Sequence, residues 1–233
     1  TKHNSLVTDV RQIARTMREA FVIARSGRPG PVLVDITKDA QQAKTDFHYP
    51  ESVHLPGLHE PEPPDAESLD HAAELIGKAE RPLILAGAGV IRSGASQALL
   101  EFAQKADVPV ALTLLGIGGF PQNHPLCLGM MGMHGAAFVN SAIQRADLLL
   151  AFGMRFDDRV TGNLKTYAPH AKKIHVEIDP SEIGKNVKVD VALVSDLRVA
   201  LEALTPVVPA KRPEAWIAEI ETWRQDTRSR DII

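Results

Sequence analysis

Pro82-Leu83-Ile84-Leu85-Ala86-Gly87-Ala88-Gly89, followed by a short loop with Gly94 and then the helical stretch 95–106, decides the fold. A short, wholly apolar run that ends in glycines has no polar face to show to water, so it reads as a strand buried on both sides. The same unit recurs downstream. Helices are expected over 66–79, 95–106, 136–146 and 197–204, and strands over 82–86, 109–113, 148–152, 173–178 and 191–194. Helices alternating with buried strands predict an α/β fold in which helices cover both faces of a parallel sheet. In such sheets ligands sit beyond the carboxyl ends of the strands.

Outward from this region the pattern changes. Between Thr45 and Asp65 lie five prolines with acidic and histidine residues and no apolar period, the mark of an extended connector. Before it, Val10, Ile13, Ala14, Met17, Phe21 and Val22 have helical spacing over 8–24, with Asp9 at the positive end and Gly27 as C-cap. PVLVDI at 31–36 reads as another strand. A second proline-rich stretch, TPVVPAKRP at 205–213, precedes AWIAEIETWRQDTR. There Trp216, Ile217, Ile220 and Trp223 share one helical face, and with no later element to cover it, that face is expected to need a missing partner.

Composition excludes several classes of function. The 233 residues are 24% charged and 44% hydrophobic with a net charge of -3, a balance that supports a folded core and offers no basic footprint for nucleic acid or anionic membrane. Cys127 is the single cysteine, which rules out an intrachain disulfide or thiolate zinc site and fits a small buried hydrophobe in a reducing compartment. No run of about 18 apolar residues and no signal-peptide pattern occurs.

Four strand ends carry residues that core packing does not require. Gly87-Ala88-Gly89 would let the backbone approach a diphosphate, or serve the turn alone. Thr113-Leu114-Leu115-Gly116, then Gly153 through Arg159, then Glu177-Ile178-Asp179-Pro180 would join it along one sheet edge. Arg155 and Arg159 suit a diphosphate or a surface pairing with Asp157 or Asp158. Glu177 suits ribose or adenine donors. Met130, Met131 and Met133 suit a flat aromatic ring or plain core filling, and His134 a ligand contact or a loop role. No paired histidine motif or nucleophile elbow is present.

GRPGPVLVDITKD (27–39), GMHG (132–135) before an alanine-rich helix, RFDDRVTG (155–162) and HVEIDPSEIGKN (175–186) resemble, in order and spacing, the acetolactate (acetohydroxyacid) synthase catalytic subunit, a thiamine-diphosphate enzyme. The resemblance covers nearly the whole chain. It implies residues 1–45 as the end of a pyrimidine-binding domain, 46–65 as linker, 66–206 as a Rossmann-like central domain that holds FAD, and 207–233 as linker and first helix of a diphosphate-binding domain. The implied reaction joins two pyruvates, or pyruvate with 2-oxobutyrate, with loss of CO2, opening branched-chain amino-acid synthesis. Homodimers or tetramers, a regulatory small subunit, and a cytoplasmic or organellar location come with the family.

Carried over by motif, Arg28, Gly87, Ala88, Gly89, Thr113, Leu114, Met131, Gly132, Met133, His134 and Gly135 are implied FAD contacts. So are Gly153, Met154, Arg155, Asp157, Arg159 and Val160, with Glu177, Ile178 and Asp196 towards adenosine. Lys38, Met133, Asp158 and Arg159 match the substrate channel where herbicidal inhibitors bind. The flavin is implied to be structural, with no net redox step. Met131 replaces the usual leucine before GMHG, and Met154 stands where smaller residues are common. Neither the glutamate that activates thiamine diphosphate nor the magnesium-diphosphate motif is present, so the chain alone is expected to be inactive and to hold no metal. The alternatives are a free-standing dinucleotide-binding module and the central domain of a related carboligase or oxidase.

Overall fold

The computed structural model describes residues 1–58, 62–210 and 212–227; the rest of the two proline-rich stretches and the expected helix end at Arg228 lie outside the described residues. The chain divides into two compact units, Thr1–Glu60 and Pro61–Ile233.

In the first unit, β1 (His3–Val7) pairs in parallel with β2 (Val32–Ile36), His3 opposite Val32 and Val7 opposite Ile36. The strand β1 was not expected, because HNSLV begins with three polar residues. Between the strands runs α1 (Ile13–Arg25), entered through a 3-10 turn at Val10–Gln12 whose first amides are capped by Asp9, Oδ1 accepting from Arg11 N–H at 2.9 Å. Gly27 at φ +47° lets the chain leave the helix in a left-handed turn. The short α2 (Lys38–Gln42) follows β2.

The second unit is a six-stranded parallel sheet. Its strands are β3 (Pro82–Ala86), β4 (Val110–Leu112), β5 (Cys127–Met130), β6 (Leu148–Phe152), β7 (Lys172–Glu177) and β8 (Val191–Val194), in the order β5-β4-β3-β6-β7-β8. The predicted parallel α/β class is the one observed. Successive strands run outward from β3 on one side and from β6 on the other, so the order reverses between those two. Such a switch point opens a crevice at the carboxyl ends of its strands.

The pleat sorts the core into two layers. Ile84, Ala86, Leu148, Leu150, Phe152, Ile174 and Val176 pack with α3 (Ala66–Lys78), α5 (Ser96–Ala106) and α8 (Leu197–Val207). Leu83, Leu85, Leu149 and Ala151 pack on the other face with α6 (Ala137–Arg145) and α9 (Glu214–Thr227). Two short helices, α4 (Ala88–Arg92) and α7 (Asp158–Thr161), start just after the β3 and β6 loops.

The expectation for the last helix is overturned. Trp216 and Ile220 are each 2% exposed, and Trp223 packs beside them. The cover comes from earlier elements: Trp216 Nε1–H donates to Pro82 O at 3.0 Å, and Arg224 donates to Cys127 O at 2.9 Å while its guanidinium lies over Phe138. The amphipathic spacing foretold a buried face, but spacing does not say which part of the chain buries it.

Candidate functional site

The switch point is built from backbone held against backbone. The β3–β6 pairing continues past both strands, with Gly87 N–H donating to Phe152 O at 2.9 Å and Gly89 N–H to Gly153 O at 3.0 Å. A Cβ on Gly89 would stand 2.5 Å from Gly153 Cα, and one on Gly116 would strike Ala86 O. Gly153 itself holds φ +59° and donates to Val176 O at 2.9 Å. These glycines are therefore accounted for by the approach of one strand end to the next, before any ligand is considered.

Around this seam the strand ends bring most of the expected residues together. Thr113 N–H donates to Ala86 O at 3.0 Å and Met131 N–H to Leu112 O at 2.9 Å, so the β4 and β5 loops start level with the glycine turn. Leu114 and Leu115 are each 69% exposed and Met133 60%, an unusual show of large apolar groups at a polar rim. Met131 and Met154 are buried in the core beneath.

The GMHG turn is fastened to the RFDDRVTG segment. Met133 N–H donates to Arg159 O at 2.8 Å, Gly135 N–H to Gly132 O at 2.9 Å, and Arg159 Nη1 lies 3.7 Å from Met133 Sδ. Asp157 caps α7, Oδ1 accepting from Arg159 N–H at 3.1 Å, and Val160 follows in that helix. Arg155 Nε stands 3.5 Å from Asp157 Oδ2, a loose surface pair, while Asp158, Arg159 and His134 are exposed. The segment thus turns cationic side chains outward beside exposed apolar ones.

Farther along the edge, Glu177 Oε1 accepts from Ile178 N–H at 3.1 Å, and Asp196 Oδ1 caps α8 through Arg198 and Val199. Ala88 begins α4 at the glycine turn. Arg28 and Lys38 belong to the Thr1–Glu60 unit. Arg28 is half-buried there and Lys38 exposed.

Two supporting residues escaped the sequence reading. Asn140 on α6 grips Gly132 with both ends of its carboxamide. His175, wholly buried in β7, has its Nε2 2.7 Å from Met154 O and its ring edge-to-face on Phe156, a non-glycine residue at φ +51°. Because a carbonyl accepts, Nε2 carries the proton; Nδ1 has no hydrogen-bond partner among the described residues. The signal was present in both cases: an asparagine among the apolar positions of a helix, and a histidine between Ile174 and Val176 in a strand otherwise read as core.

Burial holds the His175 imidazolium below its ordinary value of 6.5, outweighing the Met154 carbonyl and the Glu182 carboxylate, which favour the cation. A folded value below the unfolded one means that the unfolded chain takes up the proton first as pH falls. The neutral ring's contribution is complete above about pH 6.5 and is lost below it, at up to about 1.4 kcal/mol per pH unit. Urea midpoints from pH 7.5 to 5.5 should therefore drop more for the parent than for His175→Gln. Equal drops would remove His175 from the acid sensitivity of this fold.

Comparison with known proteins places this geometry. The sequence model for the thiamine pyrophosphate enzyme central domain matches residues 69–204. The chain is 46% identical over 223 residues to the acetolactate synthase large subunit of Corynebacterium glutamicum, covering 96% of this chain and 35% of that protein. It is 46% identical over 226 residues to the probable acetolactate synthase large subunit of Methanocaldococcus jannaschii, covering 94% and 38%. With acetolactate synthase 1, chloroplastic, of Oryza sativa subsp. japonica it shares 44% over 234 residues, covering 97% and 36%. The chain thus spans little more than a third of the length of these relatives. With more than half of its length matched and a switch-point sheet at the centre of that match, the chain belongs to the thiamine pyrophosphate enzyme family, whose central domain it carries.

Proposed function

We propose that this chain is the FAD-holding middle of an acetolactate synthase large subunit, which condenses two pyruvates, or pyruvate with 2-oxobutyrate, with release of CO2. The observation that carries the reading is identity of 44% to 46% to three acetolactate synthase chains, two of them named large subunits, over at least 94% of this chain. The cradle residues fit a flavin dinucleotide: outward cations at Arg155 and Arg159 suit the diphosphate, and the exposed Leu114 and Met133 suit the flat face of the ring. Glu177, Ile178 and Asp196 follow at the ends of β7 and β8, where a carboxylate suits ribose or adenine donors. When bound, FAD supplies a structural brace with no net redox step. This chain's own residues orient it and, through Met133, Asp158 and Arg159, line the substrate channel.

In this reading thiamine diphosphate and Mg2+ are held by other parts of the polypeptide, in a dimer or tetramer with an optional regulatory subunit. We place the enzyme in the cytoplasm, or in an organelle for a eukaryotic source. No helix among the described residues is long and apolar enough to cross a membrane.

The test is FAD titration of this chain, followed by quenching of flavin fluorescence. Saturable 1:1 binding is expected, weakened about tenfold or more by Arg155→Ala because a charge-assisted phosphate bond is lost. Unsaturable binding, or an unchanged Arg155→Ala, would overturn the assignment of the cradle. The isolated chain should form no acetolactate from pyruvate, thiamine diphosphate and Mg2+; turnover would place the catalytic centre here after all.

A further inference from the structure

We propose that Asn140 is a positioning residue that fixes the Gly132–Met133 turn against the Arg155–Val160 segment and thereby sets the shape of the cofactor cradle; the cofactor part of this inference rests on the FAD reading above. Asn140 lies in the first turns of α6, eight residues after Gly132, and half-buried. Its Oδ1 accepts from Gly132 N–H at 2.9 Å, and its Nδ2–H donates to Gly132 O at 2.9 Å. One side chain thus supplies both partners that a neighbouring strand would give a residue in a ladder. It does so at a residue with φ +94°, outside any ladder geometry.

The opposite side of the same turn is closed by backbone. A Cβ on Gly132 would stand 2.6 Å from Arg159 O and 3.2 Å from Val160 Cα. The next amide, Met133 N–H, donates to Arg159 O at 2.8 Å. Gly132 is therefore clamped between the Asn140 carboxamide and the Arg159 backbone. Because Met133 and Arg159 both project from this joint, its register decides how far apart an apolar group and a guanidinium stand.

Neither side chain of nearly equal size reproduces the grip. With Asn140→Asp the carboxylate would still accept from Gly132 N–H but would set a second oxygen against Gly132 O. With Asn140→Leu similar space would be filled while neither bond is offered. The joint is made by the loops that follow β5 and β6 and not by the pairing of the strands themselves, so its loss should loosen the turn without unfolding the unit.

The experiment compares the parent chain with Asn140→Leu and Asn140→Asp by amide hydrogen exchange and FAD titration. In Asn140→Leu, protection of the Gly132 and Met133 amides should fall about tenfold or more, with β3 and β6 amides unchanged. Asn140→Asp should keep Gly132 protected, because its acceptor remains. Both variants should bind FAD about tenfold more weakly. Unchanged protection in Asn140→Leu would overturn the clamp, and a fall spread evenly over β3 to β8 would make Asn140 an ordinary core residue. If the parent chain itself fails to bind FAD, the FAD reading fails while the exchange data still decide the clamp. If the parent binds and both variants match it, the clamp has no bearing on the cofactor.

Discussion

Gly153→Ala is expected to destabilise the Pro61–Ile233 unit by about 3 kcal/mol or more, the sum of a left-handed backbone penalty and an overpacking penalty. The first arises because Gly153 holds φ +59°, where an L side chain crowds its own carbonyl. The second arises because the new methyl would sit 2.5 Å from Gly89 Cα and within 3.1 Å of the Gly89 N and C atoms. All of these are main chain, so no rotamer change relieves the contact. The strand ends would have to part, stretching the Gly89 N–H to Gly153 O bond on one side and the Gly153 N–H to Val176 O bond on the other. Gly94→Ala is the control: it also has positive φ, at +64°, but nothing lies within 4 Å of the added carbon, so only about 1 kcal/mol should be lost. Equal urea midpoints for the two variants would show that the seam at the switch point tolerates spreading. A loss at Gly153 alone would show that these glycines answer to chain packing whatever ligand they meet.

The same seam explains what was legible in advance. Strands such as β3 and β6 could be read because every residue in them is apolar and glycine follows directly, and the helices α3, α5 and α6 because their apolar residues recur with helical period. The strand β5 could not. CLGM contains Gly129 at φ +91°, and its pairing with β4 slips between Val110 and Ala111, so the segment lacks the branched, regular pattern of a central strand. Strand order was hidden as well, since β3 pairs with β6 across more than sixty intervening residues and nothing local to Pro82 names Leu148 as its partner. For the site, motifs marked the loops that meet, but not what holds them. Asn140 and His175 act through main-chain carbonyls and amides at Gly132 and Met154. Main-chain groups carry no sequence label, so their partners surface only once the chain is folded.

The final helix carries the other large effect. Trp216→Ala should destabilise the Pro61–Ile233 unit by about 3 to 5 kcal/mol, the range for removing a fully buried large aromatic. Trp216 is among the largest fully buried side chains, stacks edge-to-face on Trp223 with centroids 5.7 Å apart, and lies beneath the Arg81 guanidinium. Its indole N–H also donates to Pro82 O at the very start of β3, so truncation leaves that carbonyl without this donor as well as opening a cavity. Trp216→Phe separates the two contributions: it keeps most of the apolar volume and loses the hydrogen bond, and about 1 to 2 kcal/mol should be lost. The readout is the urea midpoint, with exchange at the β3 amides as the local measure. Were α9 instead a free-standing piece whose apolar face waits for another domain, Trp216→Ala would leave the midpoint of the sheet unmoved and reduce self-association. Because Glu219 reaches both Arg81 and Arg145 while Arg145 caps the Trp223 ring, the helix is held at several points along its length. Its loss should therefore be felt across the α6 face of the sheet, and not only where the indole sits.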